Sequence, residues 1–119
     1  MHEMSIAKSL IDILKDEMIN HHVKTIRSVR LNIGQMSAVV PDALSFCFHV
    51  ITKGTDLERV KLIMDIVPLM GSCSECGNEF EIINYNFICS KCGGKKIITI
   101  GGKDMSIVEM EVEEPMTAA

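Results

Sequence analysis

Two short hooks constrain this chain more than any other feature. "CSECG" at 73–77 and "CSKCG" at 89–93 set Cys73, Cys76, Cys89 and Cys92 as two pairs with twelve residues between them. Two residues inside each hook let both thiolates reach one ion, and the glycine after each second cysteine permits a tight turn. Four thiolates in a tetrahedron suit Zn2+, whose filled d shell imposes no other geometry. The protein then fills every position around the ion and leaves none for water or substrate, so the expected role is structural. The competing reading is two disulfides or four free thiols. A start without a basic segment followed by an apolar stretch shows no export signal, and in a reducing cytoplasm paired Cys-x-x-Cys reads as metal ligation first. Neither hook opens a helix in a βαβ unit, which argues against thioredoxin-like redox work. A lobe of about thirty residues has too small a core to fold alone, so metal binding and folding should be one event.

Outside 71–103 the periodicity is regular. Over 4–22, Ala7, Leu10, Ile11, Leu14 and Met18 recur at helical spacing, with Lys8, Asp12, Lys15 and Glu17 opposite, and Ser5 is a candidate cap. Over 28–33 the period becomes two: Val29, Leu31 and Ile33 alternate with Arg30 and Asn32, and Gly34 ends the strand. Pro41 suits the first turn of a second helix carrying Leu44, Cys47, Phe48 and Ile51, and Gly54 suits its left-handed end. A second strand is expected over 60–67 with Leu62, Met64 and Ile66 on one face, although "LERVK" would also suit a helix. In "SIVEMEVE", Val108, Met110 and Val112 face one way and Glu109, Glu111 and Glu113 the other, which makes a third one-faced strand. The economical fold is α+β: two helices on a small three-stranded sheet, with a four-cysteine, zinc-ribbon-like lobe inserted. The expected boundaries are an α/β domain over 1–70 and 104–114, the lobe over 71–103, and a loose tail over 115–119.

Composition closes off other classes. The net charge of −4 opposes a phosphate backbone, and with no Trp and one Tyr there is little to stack bases on. Lys95, Lys96 and Lys103 are a weak footprint for the competing reading, a zinc-ribbon module that binds nucleic acid or serves transcription. No apolar run approaches the roughly 18 residues of a membrane span. Cys47 lies on an apolar helix face and reads as an inert buried thiol, and His49 as an exposed side chain. His21 and His22 close the first helix, where an imidazolium suits the dipole; the pair could also take an adventitious metal.

The opening "MHEMSIAK" carries two potential ligands, His2 and Glu3. A helix beginning near Ser5 would leave Met1, His2 and Glu3 as a short arm, with the initiating Met retained because His2 is bulky. One reading has Glu3 complementing the helix dipole and His2 at the surface. The other has the His2 imidazole sharing an ion with nearby backbone nitrogens in five- and six-membered rings, a set that Ni2+ and Cu2+ favour. No base, nucleophile or Gly-rich phosphate loop accompanies the pair, which ranks an enzyme low.

The chain resembles the HypA family of nickel metallochaperones, which help to mature [NiFe] hydrogenase. The resemblance runs from "MHEMSIAKSLI" through "SVRLNIGQMSAVVPDALSFCF" and "KGT" to the "CxxCG" pair and "DMSIVEMEVEE". It implies a transferable Ni2+ on His2 with Glu3 beside it, and a structural Zn2+ on Cys73, Cys76, Cys89 and Cys92. It also implies a cytoplasmic carrier, not an enzyme. The implied partners are the HypB-type GTPase, the precursor of the hydrogenase large subunit and, in some organisms, urease-pathway proteins. All four histidines precede the lobe, so no histidine of the lobe can complete the nickel site.

Overall fold

A computed structural model describes residues 2–113; Met1 and the tail expected over 115–119 lie outside the described residues. The element order is α1 (His2–Asn20), β1 (Thr25–Gly34), α2 (Pro41–Thr52), β2 (Lys61–Val67), β3 (Met70–Cys73), β4 (Glu79–Glu81), β5 (Ile97–Gly101) and β6 (Met105–Glu113). The strands form two three-stranded sheets, ordered β2-β1-β6 and β4-β3-β5. The three strands expected from alternation make up the first of these, and α1 and α2 pack on each other.

The chain divides into two compact units. One comprises Met1–Leu31, Val39–Met64 and Ile107–Ala119; the other comprises Asn32–Ala38 and Asp65–Ser106. The cysteine-bearing unit is therefore wider than 71–103, because the segments around Gly34 and Pro68 belong to it. In the first unit the buried apolar side chains are Ala7, Leu10, Ile11 and Leu14 of α1, Leu44, Cys47 and Phe48 of α2, Ile26, Val29 and Leu31 of β1, and Leu57 and Val60. Pro41 occupies the first turn of α2, and Gly54 adopts φ +80° just past its end. Both positions follow the sequence expectation.

Several local expectations need correction. α1 begins at His2 and not near Ser5, so His2 and Glu3 stand in its first turn and there is no separate arm. The reason is Glu3, which is only 5% exposed and is tied by its carboxylate to the backbone of Val40. The "LERVK" ambiguity resolves into a turn followed by strand, with Thr55 Oγ1 donating to the Thr52 carbonyl and accepting from the Leu57 N–H. Ile66 is exposed, unlike Leu62 and Met64, because β2 passes from the first unit to the second after Met64. In β6 the half-buried residues are Met105, Ile107 and Met110, while Val108 is exposed. β6 is an edge strand, paired on one side alone, and its apolar residues do not all reach a core.

In the second unit Ile33, Leu69, Cys73, Ile82 and Cys89 are buried. β3 runs antiparallel to both neighbours, with Gly71 opposite Phe80 on β4 and Thr99 on β5. A side chain at Gly71 would collide with Ile97 and Ile82, so glycine lets those two close over the strand. Gly34 donates its N–H to the Asp104 carbonyl (2.9 Å), and an added Cβ there would overlap the Gly102 carbonyl. Gln35 donates its N–H to Val67 O and accepts the Leu69 N–H on its side-chain oxygen.

Candidate metal centres

The two cysteine hooks fold alike. Gly77 donates its N–H to Cys73 O (2.8 Å) and Gly93 to Cys89 O (3.0 Å), each glycine in the left-handed region at φ +76° and +75°. Each hook thus becomes one tight turn that aims both its sulfurs the same way. All four sulfurs lie within 4.8 Å of one another. Cys73 Sγ is 3.6 Å from Cys92 Sγ, and Cys76 Sγ is 3.5 Å from Cys89 Sγ. A tetrahedron with bonds of about 2.3 Å places its sulfurs about 3.8 Å apart, so the donor set fits zinc in number, chemistry and spacing. No disulfide joins the four.

Backbone groups surround the sulfurs as they would a thiolate site. The N–H groups of Lys91 and Cys92 point at Cys89 Sγ, both at 3.4 Å, and that of Gly94 at Cys92 Sγ at 3.4 Å. Asn78 Nδ2 lies 3.7 Å from Cys89 Sγ. The Cys92 N–H, helped by that of Lys91 and opposed by burial, holds the Cys89 thiol down at about 6. At Cys92 the Gly94 N–H pulls the other way from the neighbouring sulfurs of Cys76, Cys73 and Cys89, and the crowding pushes that thiol up to about 12. Four thiols drawn this close oppose one another's ionisation, an opposition that a cation among them would relieve.

The amino-terminal pair is built differently. His2 and Glu3 sit in the first turn of α1, where backbone N–H groups have no intrahelical acceptor. The His2 side chain is half exposed, and its Nδ1 lies 3.3 Å from Glu3 Oε1. The other carboxylate oxygen accepts the N–H of Val40 at 3.2 Å. Val40 is the N-cap of α2 and has no side-chain cap of its own. The Val40 N–H is the main reason the Glu3 carboxyl lies below its ordinary value of 4.5. No local pattern in the sequence signals this link, because its partners are 37 residues apart.

Among the described residues, the four cysteines are the one group of three or more His, Cys, Asp or Glu side chains gathered closely enough to hold an ion. His2 and Glu3 are a pair without a third such side chain. His21 Nε2 is instead 3.0 Å from Glu17 Oε2, one turn back along α1, and His49 Nδ1 is 2.7 Å from the Ser45 carbonyl oxygen. Cys47 is buried and unpaired, as expected.

Comparison with known proteins gives the family. Residues 1–112 match the family model described as "Hydrogenase/urease nickel incorporation, metallochaperone, hypA". The hydrogenase maturation factor HypA of Geobacter metallireducens is 39% identical over 113 residues, 95% of this chain and 100% of that protein. The same-named protein of Streptomyces avermitilis is 36% identical over 121 residues, 100% of this chain and 92% of its own. In three dimensions the chain shares its fold with the solution structure of the Ni metallochaperone HypA from Helicobacter pylori. That match has a TM-score of 0.69 and 23% identity over 94% of this chain and 97% of the other. With a family match over nearly its full length and relatives more than a third identical, the chain belongs to the HypA family of metallochaperones for nickel incorporation in hydrogenase maturation.

Proposed function

We propose that this chain carries Ni2+ on its amino-terminal Met-His-Glu segment and delivers it to the precursor of the [NiFe] hydrogenase large subunit. His2 is the ligand and Glu3 the carboxylate beside it. The observation that supports this reading is the position of His2: a half-exposed imidazole in a first helical turn, next to backbone nitrogens that no helical hydrogen bond occupies. Metal ligation by those nitrogens breaks no rung of the helix. Imidazole with backbone nitrogen is a donor set suited to square-planar Ni2+.

The four-thiolate set does separate work. It takes a structural Zn2+ and shapes the lobe for docking, since a closed cage is suited to holding an ion and not to handing it on. The two tasks divide between the first unit, which carries His2, and the second, which carries the four cysteines. The partners are the HypB-type GTPase, the large-subunit precursor and, where urease is made, its maturation proteins. The chain acts as a carrier and not a catalyst, in the cytoplasm. No helix among the described residues is long and apolar enough to cross a membrane.

The test is a nickel titration of zinc-loaded protein, comparing wild type with His2→Ala and recording metal content and absorption spectrum. The reading expects one nickel per chain and a planar, low-spin spectrum in the wild type, both lost in the variant with zinc unchanged. Nickel binding that persists in His2→Ala refutes it.

A further inference from the structure

Glu3 is one of two buried polar residues among the described side chains, the other being Thr52, and it is the one that carries a charge. Both its carboxylate oxygens are engaged, Oε2 with the Val40 N–H and Oε1 with His2 Nδ1. A carboxylate 5% exposed, with Oε2 held by the Val40 N–H, presents little surface to an incoming ion. It also does something for α2. That helix begins at Pro41 with Val40 as N-cap and no side-chain cap hydrogen bond, and the Glu3 carboxylate takes the N-cap's own N–H, the contact an N3 carboxylate makes in a capping box.

We infer that Glu3 is a positioning residue and not a nickel ligand: anchored by Val40, it fixes the proton and the orientation of the His2 ring. This rests on the nickel reading of His2. With no metal, Nδ1 carries the proton and donates it to Glu3 Oε1, which sets the ring's tautomer and pins it against the first turn. A six-membered chelate with the backbone nitrogen of His2 uses Nδ1, the nearer ring nitrogen. When Ni2+ enters, the Nδ1 proton and the proton of the ligating backbone amide both leave to solvent, the ring turns from Glu3 to the ion, and Glu3 keeps its bond to Val40. The site thus retains a fixed negative charge beside the cation, and the start of α2 is undisturbed by loading and unloading.

The experiment is NMR on zinc-loaded full-length protein, reading the His2 ring nitrogens and the Val40 amide, with Ni2+ itself as the probe. In wild type without nickel, Nδ1 should be the protonated nitrogen. Glu3→Gln can still accept the Val40 N–H through its amide oxygen but turns a donor toward the ring, so the tautomer should invert to Nε2–H while the Val40 amide stays protected. Glu3→Asp keeps the charge but is one methylene too short to span both contacts, so Val40 exchange should accelerate by about tenfold, the loss expected for one hydrogen bond. On adding Ni2+ to wild type the Val40 amide should stay protected. A Val40 amide exposed by nickel would show Glu3 moving onto the metal and overturn the inference, as would a His2 tautomer indifferent to Glu3→Gln. His2→Ala separates the two ideas: nickel bound equally well by that variant sinks the nickel reading itself, whereas nickel lost with Val40 exposed in wild type sinks the role of Glu3 alone.

Discussion

Removing the metal from the four-cysteine site should unfold the second unit and leave the first intact. In the second unit the buried aliphatic side chains are Ile33, Leu69 and Ile82, and the other buried side chains are Cys73 and Cys89 themselves. Three such side chains stabilise by about 1.5–3 kcal/mol each. A zinc ion in a small structural site contributes about 10–16 kcal/mol in apparent terms at neutral pH. The metal contribution thus exceeds the apolar one, and the short strands β3, β4 and β5 have little else to offset their ordering. The first unit, by contrast, holds ten buried apolar residues from α1, α2 and β1, none of them near the hooks in sequence. The assay is hydrogen exchange resolved by segment, before and after complete chelation verified by metal analysis. Protection should vanish across Met70–Cys73, Glu79–Glu81 and Ile97–Gly101 and persist in α1 and α2. Protected amides in β3 and β5 of verified metal-free protein would show that the strands hold themselves, and the argument would fail.

Two further expectations concern single residues. Gly34→Ala places a methyl group onto the backbone of Gly102 and Asp104, atoms that cannot step aside as a flexible side chain could. It should cost about 1–3 kcal/mol or more, measured as a lowered urea midpoint with an unchanged slope. Because the Val40 N–H depresses the Glu3 carboxyl, the unfolded chain binds that proton more tightly than the folded one. This contribution to stability is fully present above 4.5 and is lost as pH falls through the lower folded value. Glu3→Gln should therefore flatten the acid limb of stability against pH, and an unchanged limb would mean the Val40 bond does not discriminate between the two states.

Much of this was legible in the residues themselves, for identifiable reasons. α1 and α2 bury one stripe each, so Leu10, Leu14, Leu44 and Phe48 announce their helices by spacing, and β1 announces itself through Val29, Leu31 and Ile33. The hooks carry their turn glycines beside them, which makes the metal site readable from ten residues. What stayed hidden depends on distant partners. β3, β4 and β5 are four, three and five residues long, too short for any period to register. They exist because Gly71 admits Ile82 and Ile97 against it. The start of α1 is hidden for the same reason: a capping serine at position 5 is visible locally, whereas the grip of Val40 on Glu3 comes from the start of another helix. Ile26 is buried out of step with Val29, which is why the alternation of β1 can be followed only from residue 28 onward.

The sulfurs of the cysteine site differ in one further respect. Cys73 and Cys89, the first of each hook, are buried, while Cys76 and Cys92, the second, face solvent. With an ion bound, the Cys76 and Cys92 half of its shell would face solvent while the Cys73 and Cys89 half lies within the fold, so a competing thiolate or chelator could begin only at Cys76 or Cys92.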